Sequence, residues 1–220
     1  MKNTIMLIGL LSLFLALQAQ NTVAHADQNG KDKKKKEDFY FDAYGGLNIS
    51  SMTGSGSSNT APLVGGQVGV GATILDFSQV IGLRAELAFS MQGGTFKSQS
   101  TGGYSTSSSG HTRLNYINVP ILGRYQSPGG FYGEFGVQPG FLVSAKETYS
   151  GGSYDLKSQM NGFDFGILFG GGYKFKNKIG VGIRIVPGVT NLRKNESTGT
   201  SSYSYTEHNF VGSIRGSYSF

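Results

Sequence analysis

The sequence predicts an all-β protein in which eight antiparallel strands form a transmembrane, up-and-down β-barrel. Apolar and polar side chains alternate with a period of two along most of the chain, which is typical of strands with one apolar face. The connections between these segments alternate between short and long, as in barrels that cross a membrane. Charged residues make up only 15% of the chain, against about 25% in soluble domains, which favours a barrel whose outer face meets lipid.

The clearest strand covers residues 80–92. Ile81, Leu83 and four further apolar residues fall on one face, while Arg84 and Glu86 fall on the other. Apolar side chains outside and charged ones inside are the reverse of a soluble barrel. The same alternation, weaker in the first, second and fourth segments, predicts eight strands in a barrel domain over residues 39–220, namely 39–52, 63–76, 80–92, 113–126, 131–146, 163–175, 179–185 and 210–220.

The connections between these strands support an outer-membrane topology. Short turns are predicted near residues 76–79, 127–130 and 176–178. Long loops rich in Ser, Gly, Thr and Tyr are predicted near residues 53–62, 98–111, 147–159 and 194–207. Short turns mark the periplasmic side of such barrels, and an even number of strands places both ends of the chain there.

The first 26 residues form a predicted signal peptide. Lys2 supplies a positive start, residues 5–17 form an apolar core, and the sequence AHA ending at Ala26 has the small-x-small pattern of a cleavage site. The apolar run is shorter than the ~20 residues of a spanning helix, which argues against a membrane anchor. We therefore expect export, cleavage near Ala26, and a flexible basic periplasmic linker over residues 27–38.

The composition excludes several classes of protein. The chain has no cysteine, which rules out disulfide bonds, cysteine metal sites, a catalytic thiol and a lipid-modified cysteine. Much of the net charge of +6 lies in Lys31 and residues 33–36, where neighbouring acids nearly cancel it. Because no other basic patch with interleaved aromatic residues occurs, we expect no nucleic-acid partner.

The predicted lumen contains charges of both signs. An eight-stranded barrel is just wide enough to be filled by its own side chains, and buried charges must be paired to offset their desolvation. We therefore expect an internal network of ion pairs that plugs the barrel, with Asp42 near its mouth; the alternative is a narrow, ion-selective pore, which inward-facing glycines would leave room for. The predicted network consists of Arg84, Glu86, Arg124, Glu134, Asp164, Arg184 and Arg215.

A lipid-modifying hydrolase is a further alternative. His111 and His208 both lie near the predicted loop side, with Glu207 and many serines nearby, so a Ser/His/acid site is conceivable. No strand presents a distinctive arrangement of these residues, and the glycine-rich stretches lack the following helix that a phosphate loop needs. We expect a protein that is not an enzyme, with no catalytic residues, metal or cofactor.

Several motifs, taken in order, resemble a known family. They are LNYINVPILGRY over residues 114–125, FYGEFG over 131–136, FDFG over 163–166, GGGY over 170–173, VGIR over 181–184 and GVTNL over 188–192. Their order and spacing resemble the PorT-like outer-membrane β-barrels, among porin-family small barrels of the OmpX/OmpA type. Pro120 departs from strand rules because it removes a backbone donor, and a bulge or local bend would accommodate it.

This resemblance implies a location and a fold more than an activity. It implies the cell outer membrane of a Gram-negative bacterium, and Tyr218 and Phe220 resemble the C-terminal aromatic signal read by the barrel-assembly machinery. We expect a monomer in outer-membrane lipid whose loops bind partners or surfaces. The alternatives are a narrow ion or solute channel and, because one namesake member is tied to a secretion system, an accessory component of protein secretion.

Overall fold

The computed structural model describes residues 40–54, 60–78, 80–98, 108–149, 151–194, 197–198, 201–202 and 206–220. The predicted signal peptide and linker lie outside these ranges. The described residues form twelve strands: β1 (Phe41–Gly54), β2 (Thr60–Ser78), β3 (Ile81–Ser98), β4 (Ser108–Asn118), β5 (Ile121–Gln126), β6 (Phe131–Tyr149), β7 (Gly152–Asp155), β8 (Phe163–Lys174), β9 (Ile179–Pro187), β10 (Ser197–Thr198), β11 (Ser201–Ser202) and β12 (Glu207–Ser219). In this part of the chain no helix is long and apolar enough to cross a membrane.

Eight spanning units form a closed antiparallel ring. Strands β4 and β5 together form one unit, and the other seven units are β1, β2, β3, β6, β8, β9 and β12. Each unit pairs with the next in chain order. β1 also pairs with β12 continuously from Asp42↔Ser219 to Gly54↔Glu207, which closes the ring of spanning units. The predicted eight-stranded, up-and-down barrel is therefore confirmed.

The predicted fourth strand, residues 113–126, is interrupted at Val119 and Pro120. Proline has no backbone N–H to donate to the ladder. The remaining groups are still used, since the N–H of Val119 donates to the carbonyl of Pro139 at 2.8 Å and the carbonyl of Pro120 accepts from the N–H of Glu86 at 2.9 Å. The barrel wall thus bends locally without losing its continuity.

The strands extend further toward the long-loop end than the sequence predicts. β2, β3 and β6 reach Thr60, Ser98 and Tyr149, and the short strands β7, β10 and β11 lie within predicted loops. Backbone hydrogen bonding can continue above the lipid, where side chains no longer have to alternate in polarity. The period-two pattern therefore marks the lipid-facing part of each strand and misses its extension.

The outer face of the barrel is apolar, and its height matches a membrane. On β9, Val181, Ile183 and Ile185 are exposed, whereas Gly182 and Arg184 between them are buried. On β6 and β8, phenylalanine and tyrosine rings pair across the strands, from Phe131–Tyr173 at 4.9 Å to Phe141–Phe163 at 5.6 Å.

These two aromatic pairs mark the two edges of the apolar band. Phe131 and Phe141 are separated by ten residues of β6, or about 33 Å along a strand. At the usual tilt of such barrels this is about 25 Å of height, which equals the apolar band expected of an outer-membrane barrel.

Candidate functional site

The lumen near the short-turn end is filled by four arginines and three carboxylates. Glu86 and Glu134 lie at its centre, and the side chains of both are fully buried. Arg184 joins them, with Nη1 at 2.7 Å from Glu86 Oε2 and Nη2 at 2.8 Å from Glu134 Oε2. Arg215 joins the same two glutamates at 3.3 and 3.1 Å.

The outer members of this group complete the network. Arg84 Nε lies 2.6 Å from Glu86 Oε1, and Arg84 Nη2 pairs with Asp42. Arg124 Nε donates to Glu134 Oε1 at 2.9 Å. We call this set the ion network, and it consists of Asp42, Arg84, Glu86, Arg124, Glu134, Arg184 and Arg215.

Two tyrosine rings support the arginines of the ion network. The guanidinium carbon of Arg124 lies 4.4 Å from the ring centre of Tyr132, and that of Arg215 lies 4.7 Å from the ring centre of Tyr44. Both tyrosines are buried. Four positive and three negative charges would leave one positive charge in excess, and these cation–π contacts stabilise it.

Glycines on neighbouring strands make room for these large side chains. The register places Gly71 beside Glu86, Gly170 beside both Glu134 and Arg184, and Gly182 beside Arg215. A Cβ on Gly71 would lie 1.9 Å from Arg84 Nη2, a distance no real contact reaches. Arginine and tyrosine side chains therefore occupy the space that these inward glycines leave.

The position of Asp164 differs from that expected of a network member. Its Oδ1 accepts hydrogen bonds from the hydroxyl of Thr190 at 2.5 Å and from the N–H of Phe165 at 2.9 Å, and it forms no ion pair among the described residues. Asp164 lies six residues along β8 from Gly170, which is the position beside Glu134. Six residues span about 20 Å of strand, which is too far for a side-chain contact. Of the seven predicted residues, the other six come together, and Asp42 completes the set.

A layer of uncharged polar side chains lies above the ion network. Ser90 accepts hydrogen bonds from the amides of Asn48 and Gln92, both at 2.9 Å, and Asn209 donates to Gln92. Asn48 Oδ1, Asn209 Oδ1 and Gln67 Nε2 are buried without a protein partner. Two small cavities lie in this layer, each with room for about one water molecule, which suits these unpaired atoms.

An apolar cap fills the lumen at the long-loop end. It consists of Met52, Leu114, Tyr116, Leu142, Ala145, Met160 and Leu192. Met160 and Leu192 belong to the connections after β7 and β9, which fold onto the barrel mouth. The N–H of Asn161 donates to the carbonyl of Leu192 at 2.8 Å, and the N–H of Lys194 donates to that of Gln159 at 3.1 Å.

The sequence analysis missed this cap. Met160 and Leu192 are isolated apolar residues in polar loops, and that isolation is the one local sign that they are buried.

The two histidines do not share a site. His208 lies on β12 beside Thr53 of β1, with Nδ1 2.9 Å from the carbonyl oxygen of Thr190. His111 lies on β4, and three of the eight spanning units separate β4 from β12 in either direction around the ring. Glu207 is engaged by Arg193 at 2.8 Å. Among the described residues no cluster of His, Asp or Glu could hold a metal ion.

Tyr218 and Phe220 lie at the short-turn end of the last strand. Both rings are exposed on the outer face, with their centres 5.7 Å apart and nearly perpendicular planes. The pair is therefore accessible from outside the barrel, and its role as an assembly signal stays a prediction.

Comparison with known proteins agrees with this architecture. A family model described as outer membrane protein beta-barrel domain matches residues 18–194. No match occurs among curated protein sequences. The Neisserial surface protein A structure is similar with a TM-score of 0.51 and 11% identity, and the match covers 83% of this chain and 97% of that one.

Two further structures match with lower scores. OprG from Pseudomonas aeruginosa has a TM-score of 0.42 and 15% identity, covering 84% of this chain and 97% of that one. The attachment invasion locus protein Ail of Yersinia pestis has a TM-score of 0.41 and 13% identity, covering 82% and 98%.

Proposed function

Because this chain belongs to the outer membrane protein beta-barrel domain family, we propose that it is a non-enzymatic outer-membrane scaffold with a plugged lumen. Its long-loop end then serves to bind partners or surfaces outside the cell. The observation that carries this proposal is the filling of the lumen in three layers: the ion network, the polar layer and the apolar cap. Side chains that fill the described part of the lumen support presentation of the loops rather than transport.

The energetics of the ion network support a permanent plug. Removing one partner from a buried ion pair typically costs 3–5 kcal/mol, because the remaining charge stays desolvated. Glu86 and Glu134 each contact three arginines. Moving Arg184 or Arg215 aside to open a path would therefore leave two buried glutamates with weaker compensation, and moving Arg84 or Arg124 would leave one.

The described part of the long-loop end supports a binding role. β6 and β7 form a hairpin on which Tyr149 and Tyr154 stack, with ring centres 5.2 Å apart and planes at 6°. Tyr154 is 55% exposed. Rigid aromatic side chains provide contact area at a low entropic cost, which is typical of binding surfaces.

Single-channel recording of the mature protein in a planar bilayer tests the plug. We expect no conductance from protein whose folding and insertion are verified by circular dichroism and protease protection. The comparison variant is Glu86→Ser/Arg184→Ser/Met160→Ser, which removes the centre of the ion network and part of the cap and is expected to conduct.

Discrete conductance steps in the parent protein, with an ion selectivity that changes in Glu134→Gln, would instead show that the protein is a narrow channel. Asp164→Asn is the matched control, since Asp164 lies outside the ion network.

A further inference from the structure

The outer face above the apolar band carries two cations directly opposite each other. Arg113 on β4 pairs with Lys146 on β6. Their neighbours Leu114 and Ala145 are fully buried inside the barrel, and side chains alternate along a strand. Arg113 and Lys146 therefore both project from the outer face, where their Cβ atoms are expected to lie about 5 Å apart.

No salt bridge neutralises this pair in the described part of the chain. Neither Arg113 nor Lys146 forms a salt bridge there, and Arg113 Nε is a buried donor without a partner. Asp155 lies opposite Lys146 on β7 without forming a salt bridge to it, and its Oδ1 accepts from the N–H of Lys157 at 2.8 Å. Like charges directly opposite each other destabilise a sheet, and one carboxylate balances only one of the two cations, so the arrangement favours an anion from outside the chain.

A third cation contacts β6 at Val143, three residues from Lys146. Lys157 Nζ donates to the carbonyl of Val143 at 2.9 Å, which holds its ammonium group against β6. Val143 is the extra residue in the bulge where the pairing moves from Asn115↔Ser144 to Tyr116↔Leu142. Among the residues that the structure describes, this part of the outer face therefore carries three cations (Arg113, Lys146 and Lys157) and one carboxylate (Asp155).

The height of the pair corresponds to the lipid headgroups. Ile117 lies opposite Phe141, at the upper edge of the apolar band. Arg113 lies four residues closer than Ile117 to the long-loop end of β4. This corresponds to about 13 Å of strand and about 10 Å of height at the usual tilt. Headgroups extend about 5–8 Å beyond the hydrocarbon, and long basic side chains bend readily toward that level.

We infer that Arg113 and Lys146, assisted by Lys157, form a binding site for a phosphate group of an outer-leaflet lipid. Arginine donates two parallel hydrogen bonds to phosphate, and lysine adds a compact charge beside it. The site is independent of the lumen, and it rests on the proposed orientation with the long loops outside. Its occupant would fix the depth and rotation of the barrel in the membrane.

Native mass spectrometry of the full mature protein in detergent micelles tests this site. The probe is bis-phosphorylated lipid A, compared with its dephosphorylated form. We expect saturable binding of one lipid by the parent, and a loss of about tenfold in affinity in Arg113→Gln/Lys146→Gln, because two charge-assisted contacts disappear. Arg113→Lys/Lys146→Arg should bind like the parent, since it keeps both charges.

The matched control is Lys176→Gln/Lys178→Gln, which removes the same charge from two exposed lysines at a short turn and should leave binding unchanged. Circular dichroism verifies folding, and the single variants Arg113→Gln and Lys146→Gln replace the double variant should it misfold. Equal binding by parent and variant, or equal binding of the dephosphorylated lipid, would overturn the inference. Competition by inorganic phosphate at concentrations similar to that of the lipid would assign the site to free phosphate instead.

A conducting parent protein would overturn the plugged scaffold without affecting this lipid-binding result. Failure of the plugged lumen and failure of the lipid site can therefore be distinguished.

Discussion

Single glycines determine whether the lumen can hold its large side chains. Gly182 on β9 faces inward between two exposed residues, Val181 and Ile183. A Cβ there would lie 2.2 Å from the hydroxyl oxygen of Tyr132, whose ring in turn supports Arg124. Overpacking of a filled interior typically costs 1–3 kcal/mol. A larger residue at position 182 should therefore destabilise the barrel by displacing Tyr132 from the wall.

Replacement of Gly182 by alanine should destabilise the barrel by about 1–3 kcal/mol, measured as the free energy of unfolding in urea from lipid vesicles. Gly133→Ala is the matched control, because nothing lies within 4 Å of a Cβ at that position. Tyr132→Phe removes the clashing oxygen, so the double variant Gly182→Ala/Tyr132→Phe should recover much of the loss. Equal stability of Gly182→Ala and Gly133→Ala would contradict this account.

At the scale of elements, the cap depends on two connections that are held to each other and to the barrel. Met160 is 3% exposed and Leu192 is 1% exposed, although both lie outside the spanning strands. The N–H of Leu192 also donates to the carbonyl of Glu207 on β12 at 2.8 Å. Loss of the apolar contacts of Met160 or Leu192 should therefore allow these two connections to move away from the barrel mouth, while the barrel wall stays folded.

Met160→Ser should accelerate amide hydrogen exchange at Asn161, Leu192 and Lys194 by about tenfold or more, since local opening becomes less costly once a buried side chain is removed. Amides in the centre of β6 and β8 should keep their protection. Val189→Ser, on the same connection as Leu192 but 50% exposed, should leave all these rates unchanged. Faster exchange throughout the barrel would mean that the cap is part of the global folding unit.

At the scale of the whole molecule, the asymmetry between the two ends predicts how the barrel faces the cell. Short turns at residues 127–130 and 175–178 lie at one end, together with the start of β1 and the end of β12. The extended hairpin of β6 and β7 lies at the other. Short turns face the periplasm in bacterial barrels, so the hairpin should be accessible from outside.

Cysteine labelling of intact cells can test this orientation cleanly, because the chain has no cysteine of its own. We expect Gly151→Cys, in the hairpin, to react with a membrane-impermeant maleimide. Gly129→Cys, which is also exposed but lies in a short turn, should react only after the outer membrane is permeabilised. The opposite pattern would place the long-loop end, and with it the proposed phosphate site, in the periplasm.

Much of the fold follows from local patterns. Lipid on one side and a polar interior on the other impose a period of two on each spanning segment, so the number of strands and the inward position of Arg84, Glu134 and Arg184 can be read from the sequence alone. The extension of the strands above the apolar band cannot, since the lipid no longer imposes alternation there. The local bend at Pro120 can be predicted from the sequence, because proline lacks a backbone N–H for the ladder, but the residues that pair on either side of it cannot.

The sequence by itself determined which side chains point inward, but only the tertiary structure decided which of them meet. Arg184 and Glu86 are 98 residues apart in the chain, and their contact depends on the register of strands that never adjoin in sequence. Register brings Asp42 into the ion network and leaves Asp164 outside it, although both carry the same charge and face the same lumen. The apolar cap is non-local in the same way, because Met160 and Leu192 are buried only once the barrel mouth exists for them to cover.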